Sequence, residues 1–245
     1  MRYLHPVTLS ERFVASGVYR LSDADGQIDR IVEYWSIHEM PDGAHFARVD
    51  VDGRDGGDGR SLLIEAWRSP LHEGGRIERF DVLASGAPGD AVQQVRATYT
   101  RFDDHMEIGR TVGGEPRQYD ELDLPAACIV FPAARVFVGE LIEQAAICSA
   151  DEFPVFLYDH HFNDDSAFQG FIHQDAANYV KDGSLTTDSH EKLARCYRWQ
   201  HPPPTLAIGE TLVWLDDHNM LLALEMESGQ RILLTNYARR PEPET

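Results

Sequence analysis

The sequence predicts a mainly β protein: one long, curled antiparallel sheet, half-barrel or barrel-like, with about one helix packed on it. Three observations point there. From residue 13 to about 124, short runs rich in Val, Ile, Tyr, Phe and Trp follow one another. Clusters of Gly, Asp and Pro separate them, and such short connections suit antiparallel neighbours, because parallel strands need long crossovers. The stretch after Pro132 changes to helical spacing.

Taken in order, the strand-like runs are Phe13–Leu21, Arg30–His38, His45–Val51, Ser61–Arg68, Arg76–Ala84, Ala91–Phe102, His105–Val112 and Arg117–Leu124. Between them stand turn formers such as PDG at 41–43, GRDGGDG at 53–59 and GGEP at 113–116. In AARVFVGELIEQAAICSAD, Val136, Phe137, Leu141, Ile142 and Ile147 recur at three-to-four spacing, which reads as an amphipathic helix opened by Pro132, with Gly139 a weak point inside it. Strand-like runs return at Phe153–His161, Ala167–His173 and Ala194–Gln200. Ser184–Lys192 reads as a short helix capped by Asp188 or Ser189. Thr211–Leu215, Asn219–Glu227 and Gln230–Tyr237 close the chain as hairpins. No low-complexity linker divides it, so residues 1–238 read as a single β-rich domain and 239–245 as a polar tail.

Composition narrows the partners. The 245 residues can bury a core without disulfide or metal staples. Acidic residues number 41 against 22 basic, a net charge of −19 that repels nucleic acid and anionic membrane surfaces. Only Lys181 and Lys192 are lysines, so the positive charge is almost all arginine, an excess that reads either as nucleotide-composition bias in the source or as arginines forked onto carboxylates. Cys128, Cys148 and Cys196 give neither a CxxC nor a zinc pattern and read as buried free thiols. The first 21 residues lack the basic-then-apolar order of a signal peptide, and no run is long enough for a membrane span. A cytoplasmic, soluble protein is expected.

Period-two alternation places Glu33 with Trp35, Glu65 with Trp67, Arg79 with Asp81, and Arg96 with Thr98 on shared faces of their strands. Charge recurring beside Trp suggests a cavity inside the curled sheet, lined by Glu33, Trp35, Glu65, Trp67, Arg79 and Arg96 and holding a small apolar or aromatic molecule. The other reading puts these faces outside, with charged stems covering the aromatics. The GVYRL pattern at 17–21, a meander curling round a helix, and the closing WLDD turn at 214–217 resemble the half-barrel of lipoprotein-carrier-like proteins. That resemblance lies in the order of elements. It implies a concave sheet that holds an apolar ligand.

The densest polar cluster is YDHHFNDD, Tyr158 to Asp165. A histidine beside a carboxylate can move protons near neutral pH. Tyr158, Asp159, His160 and His161 are therefore the candidate catalytic residues of a cofactor-independent lyase or isomerase. A non-catalytic carrier or sensor of an apolar molecule needs only the cavity. A metal-dependent enzyme would use His160 or His161 with His173 and one of Asp159, Asp164 or Asp175. No GxSxG, GxGxxG or Walker loop occurs in a suitable context, and GRDGGDGR lacks the order of a calcium loop.

Overall fold

The computed structural model describes residues 1–23, 28–52, 61–70, 74–86, 93–148, 152–159, 167–187, 190–203, 206–207 and 209–241. The expected series of strands is present: β1 (Arg12–Ser22), β2 (Ile28–Glu39), β3 (His45–Asp52), β4 (Ser61–Arg68), β5 (Ile77–Gly86), β6 (Gln93–Arg101), β7 (His105–Val112) and β8 (Gln118–Asp123). A two-residue β9 (Ile129–Val130) and a 3₁₀ turn (Arg135–Phe137) lead into the helix α1 (Val138–Cys148). Then come β10 (Phe153–Tyr158), β11 (Gly170–Asp175), β12 (Ala177–Thr187), β13 (His190–Trp199), β14 (Thr211–Leu215), β15 (Leu221–Met226) and β16 (Arg231–Arg239).

Thirteen strands form one antiparallel sheet in the order β12-β13-β14-β15-β16-β1-β2-β3-β4-β5-β6-β7-β8. The first and last strands of the chain therefore pair in the middle, β1 against β16. The sheet is open, with β12 and β8 as its edges. The three-stranded sheet β11-β10-β9, in which β9 and β10 run parallel, joins α1 in filling the inner face.

Some elements differ from expectation. Ser184–Lys192 is not helical. Ser184 to Thr187 end β12 and pair with Leu193 to His190 of β13, because alternating Ser, Leu and Thr fit a pleated ladder better than a helix. The expected caps Asp188 and Ser189 lie outside the described residues, as does the 53–59 loop. β12 carries little hydrophobic alternation because it is an edge exposed along most of its length. Pro132 does not open α1: the 3₁₀ turn stands between them. β16 keeps its ladder to Arg239, which pairs with Ala15, one residue into the expected tail.

The register fixes the two faces. Trp35, Val49, Ile64, Val82 and Ala97 are successive cross-strand partners, and all are buried inward. Phe80 stacks on Tyr99 at 4.4 Å, and Tyr99 meets Tyr158 at 5.2 Å and Phe156 at 5.7 Å, an aromatic seam between the two sheets. Gly139 sits where the β14–β15 turn reaches α1. A Cβ there would overlap the Asn219 carbonyl oxygen, so glycine permits the close approach.

Glu140, one residue on, is buried beside Arg68, whose Nη2 lies 3.3 Å away, and accepts a 3.1 Å hydrogen bond from Gln144. Burial pushes its carboxyl from 4.5 up to about 7, opposed by Arg68 and reinforced by Glu143. The folded state thus holds this proton more tightly than the unfolded chain. Its contribution is present below about pH 4.5 and lost as pH rises through about 7. That interval corresponds to roughly 3 kcal/mol at most.

Two outcomes are expected. Gly139→Ala should lower stability by about 2–3 kcal/mol in denaturant titrations, since backbone rather than a flexible side chain must give way. Glu140→Gln should flatten the decline in stability between pH 5 and 8; an unchanged slope would assign the decline to other groups.

Candidate functional site

The residues expected to share one cavity fall on opposite faces. Glu33 and Trp35 point inward. The fully buried Glu33 carboxylate accepts the backbone N–H of Arg135 at 2.9 Å and of Val136 at 3.1 Å, and the Arg135 guanidinium approaches to 3.4 Å. Burial raises the Glu33 pKa, and Arg135 and these two N–H groups oppose that rise. Here Glu33 anchors the 3₁₀ turn to the sheet. Trp35, 1% exposed, packs beside Tyr19, with ring centroids 6.2 Å apart.

Glu65, Trp67, Arg79 and Arg96 lie on the outer face. The row Ser36, Arg48, Glu65, Asp81, Thr98, Gly109 crosses β2 to β7 as direct partners. The neighbouring row runs through Phe46, Trp67 and Arg79. Alternation within each strand was readable in the sequence, but the phase of one strand against the next was not.

Residues 1–11 cover part of this outer face. Leu4 and His5 donate backbone N–H bonds to Glu65 Oε1, both at 3.0 Å, and His5 Nδ1 lies 2.5 Å from Glu65 Oε2. Arg48, 1% exposed, is gripped by both oxygens of Glu11 at 2.6 and 2.9 Å, lies 3.6 Å from Glu65, and stacks over Phe46. The hydrogen bond from Arg48 holds the Glu11 carboxyl down at about 2 against the effect of burial.

Beside this network opens a cavity of about 150 Å³. Leu4 and His5 wall one side; Arg79, Asp81, Val82, Arg96, Thr98 and Arg117 line the rest, so one carboxylate stands among the three arginines. Arg79 is forked onto Asp81, at 3.1 and 2.9 Å, and lies over the Trp67 ring. Arg96 and Arg117 pair with no carboxylate among the described residues. The Arg117 guanidinium lies on the backbone of Gly109, where a Cβ would come within 2.6 Å of its Nε. Of these residues, sequence reasoning missed His5, Arg117 and Gly109. A glycine inside the strand pattern HMEIGRTV was the available signal for Gly109, since such a position often marks a close approach. His5 precedes any periodic run and carried none.

The expected catalytic cluster is only partly described. Tyr158 is core: its ring lies 5.6 Å from Phe168, and its hydroxyl donates to the Pro132 carbonyl at 3.1 Å. Burial pushes its phenol far upward, and the Glu33 charge adds to that. Asp159 is half-buried, and its backbone exchanges hydrogen bonds with Phe168 and Gln169. His160, His161 and Asp164 lie outside the described residues. His173 is half-buried on β11, 6.3 Å from the His201 ring, and Asp175 is held by the Trp199 indole at 2.6 Å. Among the described residues no group of three or more His, Cys, Asp or Glu could hold a metal ion.

No protein-family model matches the chain, and no curated protein matches it. Among solved structures it is similar to a β-barrel-like protein of a domain of unknown function, DUF1849, from Brucella abortus. That likeness covers 96% of this chain and 100% of the other at 12% identity, with a TM-score of 0.50. The architecture is therefore mainly β and barrel-like, with the sheet left open. The likeness is one of fold. No helix among the described residues is long and apolar enough to cross a membrane.

The Glu11–Arg48 contact has a pH signature. A carboxyl held at about 2 supports the folded state above roughly pH 4.5, and that support is lost as pH falls through about 2. Carbon NMR of Glu11 should show a midpoint near 2; a midpoint near 4.5 would mean that the pair does not form in solution.

Proposed function

We propose that the protein is a binding module for a small doubly charged oxyanion, inorganic phosphate or a phosphomonoester, held in the outer-face cavity. The observation that carries this reading is the pair Arg96 and Arg117 at that cavity, with no carboxylate partner among the described residues of a chain whose net charge is −19. Arg79 and Asp81 neutralise one another, whereas Arg96 and Arg117, both exposed, have no carboxylate partner among the described residues. Guanidinium groups suit phosphate because their donors form a planar fork. The Thr98 hydroxyl lines the same cavity as a further donor.

Size supports the same class. Drug-sized ligands occupy roughly 300–1,000 Å³, whereas this cavity holds about 150 Å³. An apolar or aromatic cargo on the inner face, the reading that lipoprotein-carrier resemblance favours, would have to share space with α1 and the aromatic seam of Phe80, Tyr99, Phe156 and Tyr158. Lyase or isomerase chemistry at Tyr158, Asp159, His160 and His161 is a separate reading, two of whose residues, His160 and His161, lie outside the described residues.

Calorimetry with inorganic phosphate at low ionic strength tests the proposal. Binding should weaken as chloride rises, and sulfate should compete. Arg96→Gln should weaken binding at least tenfold, on the scale of about 1.5–3 kcal/mol for a hydrogen bond to a charged group. Gly109→Ala should also weaken it, by pushing the Arg117 guanidinium off its seat while the fold survives. Absence of phosphate binding, or binding that both variants leave intact, would sink the proposal.

A further inference from the structure

Residues 1–11 are held to the sheet by charge far more than by apolar burial. Arg2 grips Asp50 through its backbone N–H at 2.7 Å and its guanidinium at 2.6 Å. Next along, Leu4 and His5 bind Glu65, and Glu11 binds Arg48. By contrast Tyr3, Val7 and Leu9 remain exposed, Leu9 completely. The groups beneath the segment, Arg48, Asp50 and Glu65, are almost fully buried. Desolvating such charges offsets much of the attraction between them, so docking of this segment is finely balanced. Two of its residues, Leu4 and His5, are also walls of the arginine cavity.

We infer that residues 1–11 form a strap that closes over the cavity when the oxyanion is bound, with Glu65 as its latch. This rests on the anion-binding reading above. Glu65 takes both backbone N–H groups at the point of closure and fixes the His5 ring through Nδ1. Arg2 on Asp50 is a second latch, on the far side of Glu65 from the cavity. Neither Glu65 nor Arg2 lines the cavity, so neither touches the ligand directly. An anion that binds only the closed form must stabilise the docked strap by mass action, in proportion to its occupancy.

The experiment is hydrogen exchange on the full chain at constant ionic strength, with and without inorganic phosphate. At phosphate ten times its dissociation constant, exchange at the Leu4 and His5 amides should slow about tenfold, while the amides of the β10–β11 hairpin stay unchanged. Glu65→Gln and the surface variant Arg2→Ala should each weaken phosphate binding about three- to tenfold, and Arg96→Gln should abolish the protection. If phosphate binds by calorimetry but the two amides exchange at the same rate, the strap is not a lid and this inference fails alone. Wild-type affinity in Arg2→Ala and Glu65→Gln would overturn it equally. If phosphate does not bind at all, the anion-binding reading falls and takes the strap with it.

Discussion

The buried contact between Glu33 and the turn at Arg135–Val136 sets the rest of the molecule. A carboxylate sent into an apolar interior costs several kcal/mol unless its oxygens are occupied. Here two backbone N–H groups and a guanidinium occupy them. The contact ties the large sheet to the turn that introduces α1, and so to the layer that fills the curl. It also fixes the phase of β2. With Glu33 and Trp35 inward, Tyr34 and Ser36 must face outward, and the ladder passes that choice from strand to strand. Arg48, Glu65, Asp81 and Thr98 therefore share the outer face, and the polar cradle follows from a decision made in the core.

Much of the fold was legible in the sequence. The run His105–Val112 coincides with β7, and its neighbours agree to within a few residues, because hydrophobic runs and turn formers are local signals. β12 was not legible, since an exposed edge such as ANYVKDGSLTT has no buried face to imprint an alternation. The site was legible only in pieces. Glu65, Trp67, Arg79 and Arg96 do gather on one side, but Glu33 and Trp35 have the same look of charge beside Trp and lie on the other. That difference depends on which residue of one strand faces which of the next, and no single strand carries the information. His5 comes together with Glu65 across 60 positions of sequence, from a stretch without pattern.

The two polar constellations differ in kind. At Glu33 a buried charge meets fixed backbone donors, a rigid arrangement continuous with the core. On the outer face, ions from a mostly exposed segment meet ions on strands, with few apolar contacts to add. Such contacts are sensitive to the loss of any one partner, because it leaves a buried charge unpaired. The same sheet thus presents a firm side and a loosely latched side, and the arginine cavity opens on the latter.

The open sheet leaves β8 as a bare edge, and its sequence QYDELD bears on how copies of the chain meet. Glu121 and Asp123 lie exposed along this edge strand, whose outer row of hydrogen-bonding groups could template another strand, while Asp120 is held by the Arg110 guanidinium at 2.6 Å. A second copy arriving edge-on would set its own Glu121 and Asp123 beside these like charges. Leaving the barrel unclosed is thereby compatible with crowding: like-charge repulsion at the rim does the work that a final pairing strand does in a closed barrel.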